Sequence, residues 1–105
     1  MSYAKNEIET QDEYTDEATF TCPHSQVVEV QVSNAAVYYQ FRPILPETPQ
    51  GGEWQAEKRL LPGFYPFTRN LFAVRFRSAA AGKPAIVDCE GLTREDRGMR
   101  GPSAA

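Results

Sequence analysis

The chain of 105 residues predicts an all-β fold: a small antiparallel β-sandwich or barrel of six to seven short strands with extended N- and C-terminal arms. Three observations carry this expectation. Apolar residues recur with period two between residues 27 and 90, proline and glycine punctuate the chain between those runs, and no helical period is sustained. Short, evenly spaced strands of this kind build sandwiches and barrels.

Strands are expected over residues 18–22, 27–33, 36–42, 53–60, 64–68, 71–78 and 85–90. In "VVEVQV" the side chains of Val28, Val30 and Val32 share a face, and Glu29 and Gln31 share the other. Val37, Tyr39 and Phe41 oppose Tyr38, Gln40 and Arg42 in the same way. Phe72, Val74 and Phe76 oppose Arg75 and Arg77. A slip of one residue would drive charged groups into the core, so the register should be well defined. Between strands, "SNA" at 33–35 predicts a tight hairpin, because asparagine tolerates positive φ. "RPILPETPQGG" at 42–52 predicts a long exposed loop. "LPG" at 61–63 predicts a turn, with Pro62 setting φ and Gly63 free to go left-handed. "AAAGKP" at 79–84 predicts a second hairpin with Gly82 at its apex.

Length fits a single domain, with residues 18–93 as the β-sandwich, and 41% hydrophobic and 11% aromatic residues suffice for a small core. The net charge of −3 is uneven. Residues 1–17 carry six carboxylates against Lys5 and read as an acidic extended arm. Residues 94–105, "REDRGMRGPSAA", read as a tail that is flexible or ordered by a partner. The N-terminal stretch lacks the basic and apolar regions of a signal peptide, and no apolar run approaches the roughly 18 residues of a membrane span. A protein made in a cytoplasm, with no membrane partner, is the expectation. Cys22 and Cys89 read as small buried side chains in a reducing compartment, with a mutual bond as the lesser alternative.

Few residues are equipped for chemistry. His24 is the sole imidazole, and a Cys22–His24 pair lacks a third group to orient the base. The acidic arm lacks the glycine and the ligand order of a calcium loop. Glu47, Glu53, Glu57, Asp88 and Glu90 read as surface charge rather than a paired-carboxylate centre. No metal site, cofactor or catalytic residue is expected. Arg75 and Arg77, joined by Arg42 and Tyr38, form a basic stripe. The near-neutral domain does not supply the charge that nucleic-acid binding needs, so these arginines are assigned to carboxylates or to a protein partner. Trp54, Phe64 and Tyr65 are the candidate aromatic surface.

From about residue 27 to residue 90, "VEVQVSNAAVYYQF", "EWQAEKRLLPGFYPF" and "LFAVRFRSAAAGKPAIVDCEG" follow one another. This order resembles that of small β-sandwich structural proteins of tailed bacteriophages, with "RFRSAAAGKPA" the most particular piece. The resemblance implies a non-enzymatic virion component made in the host cytoplasm. A capsid decoration or cement-type or minor head protein fits first. A tail, baseplate or head–tail connector module is the alternative, as is a host-recognition sandwich that binds carbohydrate on Trp54 and Tyr65. Its partners would be capsid or tail subunits, with many copies on a lattice or a homo-oligomer. The residues expected to meet them are Glu13, Tyr14, Asp16, Arg75, Arg77 and Arg97.

Overall fold

The alternating segments fold as eight strands in the computed structural model, which describes residues 3–23, 27–45, 47, 52–68 and 71–92. They are β1 (Tyr3–Glu9), β2 (Thr19–Thr21), β3 (Val27–Ser33), β4 (Val37–Pro43), β5 (Lys58–Leu60), β6 (Gly63–Phe67), β7 (Leu71–Ser78) and β8 (Ile86–Leu92). Hydrogen bonding orders them as β1-β8-β3-β6 in a first sheet and β2-β7-β4-β5 in a second. Every ladder is antiparallel. Consecutive strands take the same rank in opposite sheets, except for β2 followed by β3, β4 followed by β5 and β6 followed by β7. That order is the jelly roll, two Greek keys wrapped into a sandwich.

The expected alternation is what fills the space between the sheets. Val28, Val30, Val32, Val87 and Cys89 enter from the first sheet, and Phe20, Val37, Tyr39, Val74 and Phe76 from the second. Val28, Val30, Val37, Val74, Phe76 and Val87 are wholly inaccessible. Fully burying a side chain of this size stabilises by about 1.5–3 kcal/mol, so this stripe holds the two layers together. Near one end the rings of Tyr39 and Phe67 meet across the layers with centroids 5.5 Å apart.

Several expectations are corrected. Eight strands form where six to seven were expected, and the additional one, β1, lies inside the region read as an arm. Among the described side chains of its sequence, "YAKNEIE", Ile8 alone joins the core. The strand is held mainly through its backbone ladder to β8, which leaves no periodic signal to read. The strand expected over 53–60 shrinks to Lys58–Leu60. Phe72 is half-buried and stands outside the core cluster; the β4–β7 register shifts between Arg42 and Pro43, which breaks the alternation there.

The turns are where the sequence placed them, but they connect different things. Asn34 has φ 74° and Gly82 has φ 72°, the left-handed backbone expected of each. Neither closes a hairpin. β3 and β4 lie in opposite sheets, as do β7 and β8, so both turns are arches that carry the chain across the sandwich. The tail at 94–105 lies outside the described residues.

Candidate functional site

The outer face of the second sheet is built from i, i+2 side chains on two paired strands. Tyr38 lies opposite Arg77 and Gln40 opposite Arg75 in the β4–β7 ladder. The pleat therefore sets both arginines and their cross-strand partners on the solvent side. Two connecting segments add aromatic rings. Trp54 comes from the segment between β4 and β5, where the Arg42 Nε–H donates to the Gly52 carbonyl at 2.8 Å and the Gln55 N–H to that of Phe41 at 2.8 Å. Tyr14 comes from the β1–β2 connection, which is anchored to β7: the Ser78 N–H donates to the Gln11 carbonyl at 2.7 Å and the Phe76 N–H to that of Ala18 at 2.9 Å.

Together these groups form a ladder of alternating cations and rings. The Arg42 guanidinium lies 5.5 Å from the Trp54 ring centroid. Arg75 follows, 4.2 Å from Trp54 and 4.4 Å from Tyr14. Arg77 comes next, 5.7 Å from Tyr14 and 4.6 Å from Tyr38. Guanidinium groups favour such ring faces because they are planar and weakly hydrated. Hydrogen bonds fix the ladder in place: Arg75 Nε donates to Gln40 Oε1 at 2.9 Å. Arg77 grips Glu57 with two bonds of 2.8 Å, and the Tyr14 hydroxyl donates to Glu57 Oε2 at 2.6 Å.

The electrostatics follow from those contacts. Hydrogen bonds from Arg77 and Tyr14 hold the Glu57 carboxyl below its usual range. Burial, then the bond to Glu57, pushes the Tyr14 phenol well above its usual value. Arg77 is raised in turn by its bond to Glu57. Glu57 therefore stays an anion, Arg77 a cation and Tyr14 a neutral donor across the neutral range. The ladder offers ring faces and guanidinium groups suited to planar or anionic partners.

The predicted partner-binding residues separate into two groups. Tyr14, Arg75 and Arg77 come together in the ladder. Glu13 and Asp16 lie on the same β1–β2 connection, exposed, with the Asp16 carbonyl accepting the Thr19 N–H at 3.1 Å. Arg97 and His24 lie outside the described residues. The candidate aromatic surface is divided. Trp54 belongs to the second-sheet ladder, whereas Phe64 and Tyr65 lie on β6 in the first sheet. Phe64 is 58% exposed. Tyr65 packs against the core and donates its hydroxyl to the Leu61 carbonyl at 2.7 Å. Gln40 escaped the sequence reading as a site residue; its signal was its i+2 place between Tyr38 and Arg42. Glu57 was read as surface charge, and nothing local foretold its pairing with Arg77.

The first sheet presents a different outer face. A shallow groove of about 270 Å³ runs across it, with Asn6, Glu29, Gln31, Phe64, Asp88 and Glu90 in its walls. Between the sheets, a cavity of about 80 Å³ is lined by Tyr39, Phe41, Phe67, Leu71 and Val74. Among the described residues, no three His, Cys, Asp or Glu side chains gather as metal ligands would. Burial raises both thiols, that of Cys22 to about 12, and neither is in a disulfide.

The fold and these faces define the class: a jelly-roll sandwich with structured outer surfaces. No protein-family model and no curated protein matches the chain. Among solved structures it is similar to hydroxypropylphosphonic acid epoxidase from S. wedmorenis in complex with fosfomycin. The identity is 14% and the TM-score 0.51, over 87% of this chain and 42% of that one. The chain thus spans less than half the length of the epoxidase, and the likeness is one of fold.

Proposed function

We propose that this protein is a non-enzymatic structural subunit that acts through its outer sheet faces, as a component of a tailed-phage virion. The role that fits is a decoration, cement-type or minor head protein in contact with neighbouring subunits. It would be made in the host cytoplasm and incorporated in many copies. The observation that carries this reading is the ladder of Arg42, Trp54, Arg75, Tyr14, Arg77 and Tyr38, a preformed surface of the residue types enriched in protein interfaces. Rigid anchors of this kind lose little entropy when a partner docks. Jelly rolls also serve as capsid domains, a support by analogy of fold. The interior adds a second support, since apolar side chains fill most of the inter-sheet space and line the small cavity left there.

The test is direct. Particles purified on a density gradient from cells that make the protein are expected to retain it in fixed stoichiometry, by mass spectrometry. Recovery of the protein only from the soluble fraction would remove the virion reading.

A further inference from the structure

The ring of Phe72 stands on the opposite side of β7 from the one its sequence position assigns. Plain alternation groups Phe72 with Val74 and Phe76, and those two are wholly buried. Phe72 instead has its ring centroid 5.4 Å from the Arg42 guanidinium, which also stacks on Trp54 over the outer face of the second sheet. The cause is a bulge. Arg42 pairs with Ala73 and Pro43 with Leu71, so Phe72 is the extra residue on β7 and its side chain is re-aimed outward. Leu71 joins the core in its place.

That exchange takes one ring out of the inner layer, and the inter-sheet cavity of about 80 Å³ lies beside the bulge. Leu71 and Val74, the inward residues on either side of it, form the floor and are buried. Phe41 stands opposite Val74 in the ladder. Tyr39 and Phe67, with centroids 5.5 Å apart, complete the lining. Phe41 and Phe67 are only partly buried, so they form the rim through which the space is reached.

We infer that this cavity is a binding site for a compact apolar molecule of up to one six-membered ring. Size sets the upper bound. Holding one water takes about 10–15 Å³, and an apolar cavity of about 150 Å³ takes a whole benzene. At about 80 Å³, a ring fits with one edge left at the Phe41–Phe67 rim. Polarity sets the class. A resident water needs about two to four polar partners, whereas Tyr39 alone among the lining side chains carries a polar atom. Protein interiors are otherwise close-packed, and wall atoms facing a void lack dispersion partners that an apolar guest restores. Bulges also recur beside binding and active sites, where they re-aim a side chain as this one does. The inference stands apart from the virion role proposed above.

Titration of the full chain with benzene, followed by methyl and aromatic NMR, tests it. Saturable shifts are expected at Leu71 and Val74 and at the rings of Phe41 and Phe67, with a dissociation constant of about 1 mM for so small a ligand. Indole, with two fused rings, is expected to bind at least tenfold more weakly. Val74→Leu fills the space and is expected to weaken benzene binding at least tenfold. Benzene should raise the melting temperature of the wild type and leave that of the variant unchanged. Circular dichroism checks the fold, and Leu71→Phe replaces Val74→Leu if that variant fails it. Shifts that rise linearly without saturating, or that spread over the whole surface, would overturn the inference. So would indole binding as tight as that of benzene, or undiminished binding in a folded filling variant.

Discussion

The Asp88 carboxylate accepts the backbone N–H of Glu7 at 2.7 Å, across the point where the β1–β8 register shifts between Lys5 and Ile8. Glu7 has φ 54°, a left-handed conformation that costs a side-chain-bearing residue about 1–2 kcal/mol. The extra residue forms a bulge, and bulges leave an amide without a ladder partner. Asp88 supplies the missing acceptor and keeps an otherwise weakly anchored edge strand in place. Asp88→Ala is expected to cost about 1–2 kcal/mol in urea unfolding, with faster hydrogen exchange confined to residues 3–9. Uniform loss of protection over the whole sandwich would assign Asp88 another role.

Thr10 and Ser78 tie the two sheets at one end. Their hydroxyls lie 2.8 Å apart and buried, and Thr10 Oγ1 also accepts the Ala85 N–H at 2.9 Å. Thr10→Val keeps the shape and strands both the amide and the Ser78 hydroxyl in an apolar setting. A loss of about 2–3 kcal/mol is expected by chemical denaturation. Ser78→Ala leaves the amide satisfied and should cost less; equal losses would contradict the arrangement.

Trp54, the chain's one tryptophan, reports on the ladder. Arg75→Ala removes the cation between Trp54 and Tyr14 and is expected to change the Trp54 emission and cost about 1 kcal/mol. Arg77→Ala, whose guanidinium packs on tyrosines rather than on Trp54, should leave the emission closer to wild type. Identical spectra for Arg75→Ala and wild type would mean that the stack does not persist in solution.

The Cys22 thiol is raised from 9.0 to about 12 in the folded protein, because it is wholly inaccessible to solvent. The unfolded chain releases this proton first. Its contribution to stability is therefore complete below pH 9.0 and is lost progressively as pH rises toward 12. A fall in urea midpoint across that alkaline window is expected, shallower in Cys22→Ala than in wild type. An unchanged slope in the variant would show that other groups govern the alkaline limit.

The period-two pattern wrote much of this molecule into its sequence. A strand's alternation is a property of its own backbone, so "VVEVQV" and "VRFRS" declared which side chains would be buried before any partner was known. Turn residues are local in the same sense, and Asn34 and Gly82 adopt the positive φ their chemistry allows. Arg75 and Arg77, set on one outward face by the alternation, do share it, whereas Tyr14, named with the acidic arm, reaches them through contacts that no local pattern shows. The grouping of Trp54 with Phe64 and Tyr65 failed, because nearness in sequence does not say which sheet a residue joins.

What the sequence by itself determined, then, is an all-β sandwich, its inward and outward faces and its turning points. The tertiary structure alone decided that the turns at 34 and 82 cross between layers, that β1 enters a sheet, and that Glu57 meets Arg77 and Tyr14 on the outer face of the second sheet. A reversing chain can pair with the strand it just left or step over the core to the other layer. The same turn residues permit both, and only long-range packing and ladder formation among strands distant in sequence choose between them.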